Sequence, residues 1–300
     1  MHPSNPDTGI EAVRLYLSGL GTPEIAQKLN IAQTTARDYL LYHRIPFRAP
    51  NELTKCFMRE DFFSVIDTEE KAYFLGWLYS DGNVSKNLKT ISLTVLSKDI
   101  DIIERLNNLV YDEPRHYIYR KYVKLLMSRK RMSRDLVRLG CVPNKTLVLK
   151  FPTYDQVPAT LVHHFLRGYS DGDGSFYDVM DKNKDKRLCC KIASTRIFCE
   201  EVGKIAKGFN PLITYRLEDI NDIGSGCVAF SGFNAMRFGH YLYRDSTIHL
   251  NRKRDRWLKG LMRQRDKVYP SAQSWMRDKA DDVYDLIEHY ATKDNLLTQN

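Results

Sequence analysis

The sequence predicts an α+β protein: two pseudo-twofold halves of αββαββα type that together form a saddle, preceded by a small all-α domain. Three observations carry this. Two apolar helical segments, Phe74-Leu-Gly-Trp-Leu-Tyr-Ser-Asp-Gly82 and Leu166-Arg-Gly-Tyr-Ser-Asp-Gly-Asp-Gly174, share small residues four apart and a closing Asp-Gly. Each is succeeded by the same order of strands, helix, strands and helix. Motif and element order together give an internal duplication with a period near 92, the separation of Asp81 and Asp173. Ahead of both stand three short amphipathic helices. A chain of 300 residues, 43% hydrophobic and 28% charged, suits two or three modest globular domains.

The opening helices are expected over 10–17, 22–29 and 32–41. Thr22 reads as an N-cap with Pro23 at the first helical position, where its missing N–H costs little. Ile25, Ala26 and Leu29, then Ile31, Ala36 and Leu40, keep one face inward across a tight turn at Asn30. This is the pattern of a helix-turn-helix whose second helix presents Gln33, Thr34, Thr35, Arg37 and Asp38 outward, toward base edges and phosphates in a major groove. A three-helix bundle that docks on protein has the same pattern. Pro46, Arg48 and Pro50 mark a linker. Domains are expected at 1–50, 51–152 and 153–262, with a helical tail over 263–300.

In the motif segments, Gly76 with Ser80 and Gly168 with Gly172 are i, i+4 pairs on one helix face, and small side chains there let two helix backbones approach closely. Packing the helices together brings Asp81 to Asp173. Two carboxylates at a helix-pair end, beside Gly82 and Gly174 with their backbone carbonyls, suit a hard divalent cation with oxygen ligands. The shared string Tyr-Ser-Asp-Gly tempts an alignment of Asp81 with Asp171, but that register sets Gly168 opposite Leu78. Matching Gly76 to Gly168 keeps small residues at both contacts and selects Asp173. Asp171, about 200° around the helix from it, is expected to point away and make a helix-end hydrogen bond. The plain alternative is two buried helices with capping acids.

Residues 90–95 alternate strictly, so Ser92 and Thr94 face out while Ile91, Leu93 and Val95 face a core. A helix over 98–109, a hairpin over 116–120 and 122–127 and a helix over 133–139 complete the first half. The second repeats it with a strand over 188–193, a helix over 197–207, strands over 212–217 and 228–231, and a helix over 234–243. Arg120, Lys121, Lys124, Arg216 and the basic run 129–131 are candidate polyanion contacts on the outward face; taken singly, they also fit ordinary solvated surface. The balance of 46 Lys and Arg against 37 Asp and Glu gives net +9 and a pI near 9.1, which favours polyanionic partners. Without an apolar run of about 18 residues or a signal-like start, the chain is expected to be cytoplasmic, neither membrane-inserted nor secreted. Six cysteines (56, 141, 189, 190, 199, 227), with no Cys-x-x-Cys pair, read as reduced packing residues.

The two motifs, together with the segments on their C-terminal sides, resemble the LAGLIDADG motifs of the homing endonucleases and their surroundings, with departures at Trp77, Tyr79 and Arg167. The resemblance implies that the motif helices form the interface between the halves. It also implies that Asp81 and Asp173 bind Mg²⁺ (or Mn²⁺) over the scissile phosphates, and that both strands of a long, specific double-stranded DNA site are cut to leave 3′ overhangs. Gly140-Cys-Val-Pro-Asn-Lys-Thr146 resembles the turn after the last helix of a half, and Ile248-His-Leu-Asn-Arg-Lys253 resembles the family's Leu-x-Arg-Lys segment. Lys145 and Lys253 are therefore implied to reach toward the active site, where a cation stabilises developing phosphorane charge or polarises water. A monomer with no obligate protein partner is implied. The same scaffold also serves a non-cleaving DNA-binding regulator or an intron RNA maturase. An intein-embedded nuclease is disfavoured by the chain's own Met start and the lack of flanking splicing blocks. His163-His164 hint at a His-based nuclease, yet they precede the motif and lack partners. The acidic helical stretch 281–289 suggests no function.

Overall fold

The computed structural model describes residues 6–47, 58–180, 185–220, 224–268 and 281–293. The chain divides into two units, Met1–Phe57 and Met58–Asn300. In the first, α1 (Pro6–Leu17), α2 (Thr22–Leu29) and α3 (Gln33–Tyr42) close on a core of their own, centred on Ala12, Leu15, Tyr16, Ile25, Ala36, Tyr39 and Leu40. Asn30 ends α2 in the left-handed conformation (φ 52°, ψ 48°), turning the chain into α3 within three residues. The start of α2 differs from expectation. Gly21, not Thr22, is the N-cap, because Glu24 reaches back to accept from the Gly21 N–H at 2.5 Å and Thr22 is thereby already helical.

The second unit runs α4 (Glu69–Ser80), β1 (Gly82–Val84), β2 (Ile91–Leu96), α5 (Ile100–Val110), β3 (His116–Tyr119), β4 (Tyr122–Met127) and α6 (Lys130–Arg138). It then repeats that order with α7 (Val162–Asp173), β5 (Gly174–Met180), β6 (Lys186–Thr195), α8 (Arg196–Phe209), β7 (Arg216–Asp219), β8 (Ser225–Ser231) and α9 (Phe233–Tyr243). Beyond them lie α10 (Asn251–Val268) and α11 (Asp281–Lys293). Both sheets are antiparallel, in the orders β1-β2-β4-β3 and β5-β6-β8-β7. Their registers are equivalent: Gly82 opposes Leu93 as Gly174 opposes Ile192, and Thr94 opposes Lys124 as Ala193 opposes Cys227. Period-2 alternation puts Ile91, Leu93, Val95, Val123, Leu125 and Met127 into a core that runs continuously through both halves.

Thr68 caps α4 by accepting from the Lys71 N–H, and Glu69 and Glu70 occupy its positive first turn. Every residue from Ala72 to Tyr79 is buried, as an all-apolar helix between two sheets must be. Strands β1 and β5 occupy the places that the αββαββα order requires, though no residue range in the sequence reading covers them. Gly174 caps α7 and is itself already extended (φ −86°, ψ 166°), so the chain passes directly from helix to strand. The strand expected over 212–217 instead covers Arg216–Asp219. Asn210 Oδ1 accepts from the Leu212 N–H at 2.9 Å and Asn234 Oδ1 from the Thr214 N–H at 3.0 Å, which removes both amides from any ladder. The expected boundary at 262 falls inside α10. Helix α11 is anchored to the second half by Asp282, which accepts from Arg237 Nε at 2.7 Å and Asn210 Nδ2 at 2.8 Å. Among the described residues five cysteines are free and buried, and Cys56 lies outside them. No described helix is long and apolar enough to cross a membrane.

Candidate active site at the paired helix ends

Helices α4 and α7 are in backbone contact. A methyl at Gly76 would collide with the Phe165 carbonyl and the Tyr169 amide, and one at Gly168 would strike the Tyr73 carbonyl. At Gly172 it would strike the Ser80 hydroxyl and lie 2.8 Å from Asp81 Oδ2. Glycine at these points is therefore a steric requirement, and at the last of them Ser80 packs directly on Gly172. This crossing sets Asp81 over Gly172, beside Asp173. Both carboxylates reach solvent, yet the helix ends crowd them. Desolvation is the first cause that raises the Asp81 carboxyl. It is also the first at Asp173, where the neighbouring Asp81 charge adds to it and the carboxyl is pushed up to about 6. Two carboxylates that repel each other in a partly dry site fit a divalent cation, whose charge would relieve both effects. Among the described residues no cluster of three or more His, Cys, Asp or Glu side chains adds to them.

Asp171 is elsewhere. It is 1% exposed, and its Oδ2 accepts from the Tyr73 hydroxyl and the Leu250 N–H, both at 2.8 Å, while Oδ1 faces the Tyr243 hydroxyl at 3.4 Å. Burial pushes this carboxyl up to about 6 against the pull of Lys253 and these donors. Asp171 is a strut between α4, α7 and the segment that leads into α10.

The two lysines occupy equivalent places. Lys145 Nζ donates to the Gly82 carbonyl. Lys253, 7% exposed, donates to the carbonyls of Ser170 (2.8 Å), Asp171 (2.5 Å), Gly172 (3.0 Å) and Gly174 (2.7 Å). It thus caps the negative end of α7, and burial lowers its pKa from the usual lysine value. Two expectations change. The carbonyls of Gly82 and Gly174, read as cation ligands, hold ammonium groups instead, because the turn after each half delivers a lysine to them. Lys253 is committed to four backbone acceptors, whereas Lys145 is half-exposed.

Arg167, a departure from the motif, is fully buried. Its Nη2 donates to Glu69 Oε1 at 2.5 Å, Nε to the Ile248 carbonyl at 2.8 Å and Nη1 to the Leu242 carbonyl at 3.0 Å. Glu69 in turn accepts from the Thr247 N–H at 2.8 Å. This network ties both motif helices to the 247–250 segment, and its one sequence signal is a lone cation in an apolar helix. His163 and His164 lie within α7 rather than ahead of it, with rings 3.8 Å apart, and His164 Nδ1 contacts Arg167 Nη1 at 2.8 Å. Both are packing residues, because the helix begins at Val162; His164 has Arg167 as its partner, while the two ring nitrogens of His163 are buried without a hydrogen-bond partner among the described residues.

Ser92, Thr94 and Lys124 share the outward face of the first sheet, with Arg120 and Lys121 at the exposed β3–β4 turn, Arg120 over the Tyr119 ring and Lys121 over Tyr122. Arg216 is exposed on the second sheet. In the first unit Gln33, Thr34 and Arg37 are exposed and Thr35 half-buried; Gln33 Nε2 bonds Thr22 Oγ1 at 3.4 Å and Arg37 lies over the Phe47 ring.

Fold and site together define a pseudo-twofold α+β protein with paired acids at the foot of a close helix seam. Its solved structural neighbours are LAGLIDADG homing endonucleases. It is similar to the meganuclease I-SmaMI bound to uncleavable DNA, at 11% identity and a TM-score of 0.46, over 66% of this chain and 92% of that one. It is similar to the I-LtrWI LAGLIDADG homing endonuclease bound to target DNA, at 12% identity and a TM-score of 0.44, over 73% and 96%. A further similar structure is I-SmaMI with an uncleaved target in the presence of calcium ions, at 11% identity and a TM-score of 0.46, over 72% and 97%. No family model and no curated protein matches the chain.

Proposed function

We propose that this chain is a site-specific double-stranded DNA endonuclease of the LAGLIDADG homing type, acting as a monomer on a long target. The observation that carries this reading is the meeting of Asp81 and Asp173 at the end of the α4–α7 seam, flanked by one outward sheet face from each half. Asp81 and Asp173 would hold Mg²⁺ (or Mn²⁺), which when bound supplies Lewis acidity and a water of lowered pKa for hydrolysis of phosphodiesters. The protein's own residues do the rest. Ser80 and Gly172 fix the separation of the two acids, and Lys253 holds the end of α7 rigid beneath Asp173. Lys145 adds positive charge at the matching end of α4, where it favours the developing negative charge of the transition state. Ser92, Thr94, Lys124 and Arg216 engage the duplex on either side, and the α3 residues Gln33, Thr34, Thr35 and Arg37 add contacts beyond the nuclease footprint.

The test is incubation with a library of randomised duplexes, first with Mg²⁺ and then with Ca²⁺. Specific cutting with Mg²⁺ and binding without cutting in Ca²⁺ is the expected result. Specific binding without cutting in either ion would make the chain a regulator on this scaffold and sink the enzymatic reading.

A further inference from the structure

Equivalent positions on the two outward sheet faces carry different chemistry. With Gly82 matched to Gly174, the registers set Ser92 against Lys191, Thr94 against Ala193, Lys124 against Cys227 and Tyr117 against Glu218. In the first sheet these positions hold hydroxyls, a phenol and one lysine. In the second, Lys191 Nζ and Glu218 Oε2 form an ion pair at 2.8 Å across β8, with side chains 37% and 39% exposed. Cys227 Sγ donates to the same carboxylate oxygen at 3.4 Å, and Arg216 Nη1 stands 3.9 Å from the other.

That carboxylate is costly where it stands. An exposed pair contributes little to stability, and an acid on a surface that meets phosphates weakens the attraction. What the pair does offer is a donor and an acceptor held side by side. Each partner keeps the other charged: the Lys191 hydrogen bond is the first cause lowering the Glu218 carboxyl, and the Glu218 bond is the first raising the Lys191 ammonium. An ammonium has three donors and a carboxylate about four acceptor sites, so both retain capacity for a further partner.

We propose that Lys191 and Glu218 read one G·C base pair in the second half-site as a unit, Lys191 donating to guanine O6 and N7 while Glu218 accepts from cytosine N4, an assignment that rests on the proposed recognition of double-stranded DNA. The separation fits, since O6 and N4 of a G·C pair are themselves hydrogen-bonded at about 2.9 Å. The other pairs fit worse. T·A keeps an acceptor, O4, for the lysine and a donor, N6, for the carboxylate, but it gives the lysine one acceptor beside a methyl in place of two and sets adenine N7 next to the carboxylate. C·G and A·T reverse donor and acceptor, placing like against like. The position faced by Ser92 and Tyr117 in the first half-site carries no such demand, because neither residue presents a fixed charge.

The experiment selects targets from a randomised duplex library in Ca²⁺ with the wild-type chain, then measures binding of targets changed at one base pair. Wild-type protein should require G·C at one position of one half-site, with single substitutions there weakening binding about 5- to 100-fold and reversal to C·G the most damaging. The Lys191→Ala/Glu218→Ala double variant should bind all four pairs within about threefold at that position and keep its profile elsewhere. Glu218→Gln, which preserves shape, should relax the same position alone and guards against a folding defect in the double variant. A defined target whose base profile is identical for wild type and variants at every position would overturn the assignment while leaving the DNA reading intact. Failure to enrich any duplex would overturn both.

Discussion

The phenol of Tyr73 donates to Oδ2 of Asp171 at 2.8 Å, joining α4 to α7 through a carboxylate that lies only two residues from Asp173. The same oxygen takes the Leu250 N–H, so one buried acid fastens three segments. Asp171→Ala orphans both donors and should cost about 2–6 kcal/mol, at roughly 1–3 for each. Asp171→Asn keeps an acceptor oxygen and should cost much less. It should also change the pH dependence. The folded carboxyl, raised to about 6, binds its proton more tightly than the unfolded one near ~4. Its contribution is therefore fully present below about 4 and is lost as pH rises through about 6. Melting temperatures of wild type and Asp171→Asn should converge toward neutral pH, with the wild type gaining on acidification. Parallel curves from pH 4 to 8 would refute this.

The paired acids should behave oppositely in function. Asp81→Asn and Asp173→Asn should each abolish Mg²⁺-dependent cutting and retain specific DNA binding, since a lost carboxylate removes a cation ligand and also lessens repulsion of phosphate. Because the Asp173 carboxyl is raised to about 6, its ionised form works against the fold, and Asp173→Asn should melt higher than wild type above that pH in the absence of divalent ions. Ca²⁺ should stabilise wild type and leave Asp173→Asn unmoved, as differential scanning fluorimetry would report. Wild-type cutting by Asp173→Asn, with Asp171→Asn inactive, would invert the roles of the two acids.

Legibility in the sequence tracked the physical range of each signal. The helix seam was readable because small residues four apart have few uses other than close approach, and Gly76, Ser80, Gly168 and Gly172 all lie in it. Strand β2 was readable from strict alternation over 90–95, and the duplication from element order. What escaped depended on partners distant in sequence. The Arg167–Glu69 pair spans 98 residues, and neither residue has a local pattern that names the other. Lys253 is implied by the resemblance to reach toward the active site, but the four carbonyls it caps lie 79 to 83 residues earlier in the chain, and no local pattern names them. Helix α11 has no purpose legible in its own residues, because its anchor, Asp282, meets Arg237 on α9, 45 residues away in sequence.

The difference between the two lysines should appear as a split between stability and rate. Lys253→Met strands carbonyls that now accept from a buried ammonium, and should destabilise by at least about 3 kcal/mol at 1.5–3 for each charge-assisted bond. Lys145→Met, at a half-exposed site with one such bond, should melt close to wild type and instead slow single-turnover cutting more than it weakens binding. Equal losses of binding and rate in Lys145→Met would make that residue a phosphate clamp. A large drop in melting temperature would make it a second structural cap.

The two units have separate cores, one on Ala12, Tyr16, Ile25 and Leu40 and the other running from Met58 to Tyr290. A chain beginning at Met58 should therefore fold, with Met58 still bridging to Tyr111 at the edge of the second unit. If α3 meets DNA through Gln33, Thr34, Thr35 and Arg37, this shortened chain should still cut its target in Mg²⁺, bind it more weakly and protect a shorter stretch of duplex. Each phosphate that the shortened chain no longer neutralises should also flatten the dependence of affinity on salt by about 1 in log–log slope. Footprinting and a salt titration read these directly. A footprint and slope equal to those of the full chain would remove the first unit from the DNA interface and return it to the alternative of a bundle that docks on protein.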